Sequence, residues 1–300
     1  MNRQIDIMGI VNLTDDSYFT ESRCADPTAA LRRIERMVED GADIIDLGAC
    51  STRPGSLPVG EEEEWRRLHA VLPLIRAHFP DVRISVDTYF SSVVEKTYDL
   101  IGDFIVNDIS AGEDDPDMLP TVGRLGLEYV AMHKRGTPQT MQSMTDYGDV
   151  VAEVIGYFQD FATKAHENGI KNWILDPGFG FAKTIEQNYC LLSHLCDIID
   201  GVKEIPEQVG NDGGTSLRDA SESWQSPSRI LVGISRKSMI YKLLGITPED
   251  SLSATQALHM AALMGGADIL RVHDVKEAKQ TATLYHALNK EGVDIFVKKM

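Results

Sequence analysis

Short apolar, β-branched runs alternate with helix-period segments eight times along the chain, and this alternation narrows the fold more than any other feature. The strand candidates are Ile5–Val11, Asp43–Leu47, Arg83–Val86, Phe104–Val106, Glu128–Met132, Trp173–Leu175, Ile230–Gly233 and Ile269–Val272. Each suits burial on both faces, as in a parallel sheet. Between them, Trp65, Leu68, Leu72 and Ile75 form one helical stripe. Val151, Val154, Phe158, Phe161 and Ala165 form a second, and Ala257, Met260, Ala261 and Met264 a third. Such stripes would cover the outside of the sheet. Eight units in 300 residues match an α/β fold of the (β/α)8 TIM barrel type, whereas a doubly wound sheet more often has about five or six strands. The expected organisation is one domain over 1–300, with a polar, solvated insertion at 201–228 between helix 6 and strand 7.

Composition limits the partners. With 29 basic and 46 acidic side chains the net charge is −17, which argues against nucleic acid and requires any anion-binding cations to be local. The apolar runs stop well short of the roughly 20 residues of a bilayer span. The first strand candidate begins at Ile5, leaving no room for a leader, so no membrane association and a cytoplasmic location are expected. Cys24, Cys50, Cys190 and Cys196 form no CxxC pair and read as reduced thiols.

Every strand candidate runs into hydrogen-bonding residues: Asn12, Ser51-Thr52-Arg53, Asp87, Asn107-Asp108, His133, Asp176, Ser235-Arg236-Lys237 and Arg271-Val272-His273. In a barrel these positions converge on one rim, where the βα loops build the active site. Helix capping explains any one of them, but eight in succession point to a site. Arg236, Lys237, Arg271 and His273 put positive charge after strands seven and eight. Ser238 opens a helix whose N-terminus suits an anion. Asp87, Asn107 and Asp176 offer acceptors to a donor-rich, guanidine-like edge. Chemistry alone therefore gives a polar heterocycle carrying a phosphate group. No HExxH, CxxC or EF-hand pattern occurs, so a metal, if used, would be Mg2+ bridging phosphate oxygens with few protein ligands. Glu61–Glu64 reads as charge complementing the first turn of a helix.

An ordered set of motifs then resembles dihydropteroate synthases. It runs from Met8-Gly9-Ile10-Val11-Asn12-Leu13-Thr14 through Ser51-Thr52-Arg53-Pro54-Gly55, Ser85-Val86-Asp87-Thr88 and Asn107-Asp108-Ile109-Ser110. It continues with Met132-His133, Gly136–Gln142, Asp176-Pro177-Gly178-Phe179-Gly180-Phe181, Gly233–Ser238 and Arg271–Val275. The resemblance implies condensation of 6-hydroxymethyl-7,8-dihydropterin pyrophosphate with p-aminobenzoate, by an SN1-like path in folate biosynthesis, in a family targeted by sulfonamides. It implies a pterin site of Asp87, Asn107, Met132, Asp176, Phe181, Gly233 and Lys237, with pyrophosphate against Asn12, Arg271 and His273. It also implies Asn12 as the protein ligand of Mg2+, and the p-aminobenzoate carboxylate near Ser238. Asp16, Thr52, Arg53 and Lys237 carry the catalytic assignments, with Thr52 also touching substrate, and a homodimer through outer helices is expected. The first loop departs from the family pattern: Thr14-Asp15-Asp16-Ser17-Tyr18 stands where Thr-Pro-Asp-Ser-Phe is usual, and Thr20 replaces an acidic residue. Gly48-Ala49-Cys50 replaces a more glycine-rich lead into the second loop. A pterin-dependent methyltransferase barrel and a non-catalytic pterin-binding paralogue are the alternatives. The first has no need of the pyrophosphate-suited motifs; the second draws on the altered first loop.

Overall fold

A computed structural model describes residues 3–13, 26–50, 59–137, 140–203 and 229–289. Eight strands, β1 (Asp6–Asn12), β2 (Ile44–Gly48), β3 (Arg83–Asp87), β4 (Ile105–Asp108), β5 (Glu128–Met132), β6 (Trp173–Asp176), β7 (Arg229–Val232) and β8 (Ile269–Val272), pair in parallel and in sequence order. The pairing of β1 with β8 closes the barrel, as the βα alternation predicts.

Outside lie α1 (Pro27–Glu39), α2 (Glu61–His78), α3 (Ser91–Ile101), α4 (Met118–Leu125), α5 (Val150–Glu167), α6 (Ile185–Ser193), α7 (Leu195–Lys203), α8 (Ser238–Leu244), α9 (Leu252–Met264) and α10 (Val275–Asn289). Units six and seven therefore carry two helices each; the sequence indicates both in unit seven, at Ser238 and around Ala257–Met264, but only one in unit six. Gly245 ends α8 in the left-handed region at φ 66°, its N–H bonded to the carbonyls of Tyr241 and Lys242. The helix α7 includes Gly201–Lys203, which removes those three residues from the expected insertion. The remainder, 204–228, lies outside the described residues. None of the described helices is long and apolar enough to cross a membrane.

Two apolar layers follow from the period of two along each strand. Met8, Ile44, Ile105, Val130, Ile174, Leu231 and Ile269, from seven strands, fill the inside of the barrel. The alternate residues, among them Ile7, Ile45, Val106, Tyr129 and Leu175, belong to the outer core with Ile34, Leu68, Leu72, Phe158 and Phe161 from the helices. The stripes on α2 and α5 face this core, with Trp65 and Val151 at its half-buried margin. On α9 the expectation is overturned. Thr255, His259, Ala262 and Leu263 are buried, while Ala257, Ala261 and Met264 are exposed and Met260 is half-buried. This helix has small or apolar residues on several faces, so periodicity does not select the inward one.

At the N-terminal end of the barrel, buried Asp6 pairs with Arg83 at 3.1 Å and Arg229 at 2.9 Å. Arg83 also reaches Glu128 at 2.5 Å. These pairs tie β1, β3, β5 and β7 together at the end opposite the site.

Candidate functional site

The same period of two builds the site's floor. Two residues beyond Ile44, Ile105, Val130, Ile174, Leu231 and Ile269 stand Asp46, Asn107, Met132, Asp176, Gly233 and Arg271. The inner face thus changes from apolar to largely polar within one step of each strand. Buried Asp46 is the hub. It accepts from Ser85 Oγ at 2.6 Å and from Asn107 Nδ2 at 3.2 Å, and pairs with the Arg271 guanidinium at 2.7 Å. Arg271 extends to Asp87 Oδ2 at 3.0 Å. Because Nδ2 of Asn107 is committed to Asp46, its carbonyl oxygen is the part left to meet a ligand.

Sequence reasoning passed over Asp46 as part of an apolar run. The available signal was parity: Asp46 is one strand step from Ile44, as Asp176 is from Ile174. Parity also corrects Asp108. It points away from the barrel interior, accepting from Ser110 N and Oγ at 2.7 Å, Gly112 N at 2.8 Å and Tyr129 Oη at 2.6 Å. It braces the loop after β4 instead of facing the rim.

On the far side, Asp176 Oδ1 accepts from Gly178 N at 2.8 Å. Burial pushes the carboxyls of Asp87 and Asp176 above the usual range, opposed chiefly by Arg271 for the first and Lys237 for the second. Lys237, the residue before α8, donates to Phe179 O, and its Nζ lies 4.8 Å from the centre of the Phe181 ring. Desolvation lowers it to about 8, against the pull of Asp176. Burial works against the charge of Arg271, but Asp46 and Asp87 more than offset that and hold it firmly protonated. A Cβ at Gly233 would lie 3.9 Å from both Arg271 Cβ and Asp176 Oδ2, so this glycine leaves space between them.

The expected positive rim changes in detail. Arg236 is consumed by structure: it pairs with Asp274 at 2.8 Å and donates to the carbonyls of Pro248 and Glu249 at 2.8 Å, which holds its backbone at φ 53°. His273 lies 3.0 Å from Ser235 Oγ, and burial drives its pKa down to about 3, so it is neutral at physiological pH. It can act as a hydrogen-bonding group, not as a cation. Arg271 and Lys237 remain as the floor's cations, and Ser238 opens α8 beside them.

Asn12 ends β1, its Oδ1 3.2 Å from where a Cβ of Gly48 would stand. No group of three or more His, Cys, Asp or Glu side chains able to hold a metal occurs among the described residues. A neutral amide oxygen without a carboxylate cage suits Mg2+ that arrives with a phosphate ligand and keeps most of its water. Glu61 pairs with Lys96 at 2.8 Å and Glu63 with Arg66 and Arg67 at 2.7 Å, as a solvated first turn should. Glu64 departs from that expectation. It is fully buried near Thr88, Cys50 and Asp87, and desolvation raises its carboxyl to about 7. Asp16, Thr52 and Arg53 lie outside the described residues, as does most of both loops that bear them.

A closed barrel whose apolar plug gives way at its C-terminal mouth to acceptors and cations defines a (β/α)8 enzyme class with a site for a polar, anionic ligand. The family described as "Pterin binding enzyme" matches residues 8–273. The dihydropteroate synthase of Escherichia coli (strain K12) is 36% identical over 283 residues, covering 94% of this chain and 90% of its own. That of Synechocystis sp. (strain ATCC 27184 / PCC 6803 / Kazusa) is 36% identical over 285 residues, with 94% and 89% covered. Among solved structures, the Yersinia pestis dihydropteroate synthase with a sulfonamide drug complex superposes with a TM-score of 0.81 at 33% identity, covering 95% of this chain and 93% of its own. The Thermus thermophilus enzyme in complex with 4-aminobenzoate gives 0.77 at 35%, with 95% of each chain covered. The chain belongs to the dihydropteroate synthase family. It is a transferase that condenses dihydropterin pyrophosphate with p-aminobenzoate to give 7,8-dihydropteroate and pyrophosphate in folate biosynthesis.

Proposed function

We propose that the dihydropterin ring lies across the C-terminal mouth of the barrel with its aminopyrimidinone edge toward Asp87, Asn107 and Asp176. The shared network of Asp46, Arg271, Asp87 and Asn107 carries this reading, because it fixes two acceptors at the neighbouring ends of β3 and β4 for one donor-rich edge, while Asp176, held by Gly178 N, supplies the third from the end of β6. Lys237 meets the ring's oxygen and nitrogen, and Phe181, Met132 and Gly233 form the walls. The pyrophosphate lies toward Asn12, Arg271 and neutral His273. The p-aminobenzoate carboxylate is assigned to Ser238. The Thermus thermophilus structure with 4-aminobenzoate and the Burkholderia cenocepacia one with 7,8-dihydropteroate support this ligand set.

In the reaction the methylene C–O bond breaks with its electron pair leaving on pyrophosphate, the aminobenzoate nitrogen bonds to that carbon, and the nitrogen sheds a proton to solvent. The electron-rich ring spreads the developing positive charge, and the buried carboxylates beside it stabilise that charge electrostatically. Bound Mg2+ would neutralise the departing pyrophosphate, with Asn12 offering an oxygen ligand. Asp16, Thr52 and Arg53 are assigned to positioning the amine and excluding water. The chain is also read as a cytoplasmic homodimer. Exposed Met264 on α9 and Leu284 and Leu288 on α10 support an apolar interface across these adjacent helices.

Titrating the pterin pyrophosphate into Asp176→Asn tests the pocket. Affinity should fall by at least tenfold, the scale of losing a charge-assisted bond at roughly 1.5–3 kcal/mol. Unchanged affinity would remove Asp176 from the site.

A further inference from the structure

Lys183, between β6 and α6, is a buried cation that the chemistry above does not use. Only 5% of the residue is exposed. Its Nζ lies 2.9 Å from His133 Nδ1, 3.1 Å from the carbonyl oxygens of Gly178 and Phe181, and 3.4 Å from that of His133. No salt bridge joins it to a carboxylate among the described residues. The acceptors come from two separate strand ends: His133 follows β5, and Gly178 and Phe181 belong to the loop after β6. The same two segments meet through the backbone, His133 N donating to Asp176 O at 2.9 Å. They are pressed together so closely that a Cβ on Gly178, at φ 70°, would stand 1.9 Å from His133 O.

We propose that Lys183 is a positioning residue for the pterin subsite, its ammonium binding the end of β5 to the loop after β6 so that Asp176 and Phe181 present one fixed surface to the ring. The inference rests on the pocket assignment made above. His133 fits the part of acceptor, since burial lowers its pKa to about 2 and keeps it neutral. The ammonium faces His133 and Arg135 from the β5 side, Asp176 from β6, and Lys237 from the start of α8; burial lowers it to about 7, with Asp176 pulling upward and both other cations downward. It also lowers the Asp176 carboxyl. Lys183 thereby acts on the acceptor by geometry and by charge.

The test uses the full chain and its variants Lys183→Met, Lys183→Gln, Lys183→Arg and Asp176→Asn, with pterin pyrophosphate affinity measured by calorimetry from acid to alkaline pH, alongside kcat and thermal unfolding. Lys183→Met should bind roughly tenfold more weakly, within the range of coupling in one hydrogen-bond network, with kcat changed less than affinity. Its acid-side loss of affinity should move to higher pH, because Asp176 has lost a neighbouring cation. Lys183→Arg should restore the acid limb. Lys183→Gln, which keeps a donor, should retain the shifted limb, and it stands in if the Met variant does not fold. Neutral variants that bind within twofold of wild type, or that lose stability alone with the acid limb unmoved, overturn the role of Lys183 when Asp176→Asn has lost affinity in parallel. If Asp176→Asn also binds normally, the pocket assignment fails and the inference falls with it.

Discussion

At the residue scale, the site works by placing ionisable groups where burial opposes their charge and then surrounding them with partners. In the proposed pterin site the floor carboxylates, raised by desolvation, must be ionised to accept from the ring, while Lys237, lowered to about 8, must be protonated to donate. The expected profile of kcat/KM against pH falls on its alkaline side in two steps, near 7 as the Lys183 ammonium is lost and near 8 as Lys237 deprotonates. Lys237→Arg should remove the step near 8 while leaving the acid limb in place. An unmoved upper step would assign it to another group. Glu64 makes the opposite kind of statement, about stability. Its pKa is about 7 when folded against about 4.5 when exposed, so between these values the folded state holds the proton that the unfolded chain has released. Its contribution to stability therefore falls as pH rises through that window and is lowest above 7. Relative to wild type, Glu64→Gln should gain up to about 3 kcal/mol between pH 4 and pH 8. Urea unfolding at the two pH values checks this, and a constant difference would refute it.

At the element scale, each strand end is a short lever that converts parity into chemistry. One step along β2, β4, β6 and β8 replaces an apolar plug residue with Asp46, Asn107, Asp176 or Arg271, without a loop having to reach inward. The loop after β6 is held by backbone geometry that only glycine allows at position 178. Gly178→Ala should force this loop off the end of β5. Pterin affinity should fall at least as far as in Asp176→Asn, and the melting temperature should drop by several degrees, as for a loss of about 2 kcal/mol or more. Calorimetric titration and thermal unfolding measure both. The strand boundaries were legible in sequence to within a residue or two, since β-branched runs bounded by polar residues leave few choices. The second helix of unit six was not, because the turn between α6 and α7 has little effect on apolar spacing.

At the scale of the whole molecule, the two ends of the barrel have opposite electrostatic tasks. The N-terminal end closes its ion pairs on itself through Asp6, Arg83, Glu128 and Arg229. At the C-terminal end, buried acceptors and cations converge where a ligand can meet them. On a chain of net charge −17, the cations Arg271 and Lys237 are sheltered in the pocket, which favours an anionic substrate there over general binding of polyanions. The outer face of α9 and α10 supplies the remaining prediction. If the proposed homodimer forms through this face, Ala261→Glu, which adds a charge to the exposed side of α9 without entering the core, should shift it to monomer in analytical ultracentrifugation. A sedimentation profile identical to wild type would place the interface elsewhere.

By itself the sequence determined the βα order, the closed barrel as its economical solution, and most polar residues at the strand ends, because period and strand-end chemistry are local properties of the chain. Motif resemblance added the reaction. Tertiary structure alone decided which polar residues are partners and which are supports. Arg236 turns to Asp274, Asp108 turns outward to Tyr129, His273 becomes neutral, and Asp46 and Lys183 emerge as buried hubs. These outcomes depend on residues as distant in sequence as Asp46 and Arg271 meeting at 2.7 Å, and on how far each is removed from water. Neither quantity exists until the barrel has closed.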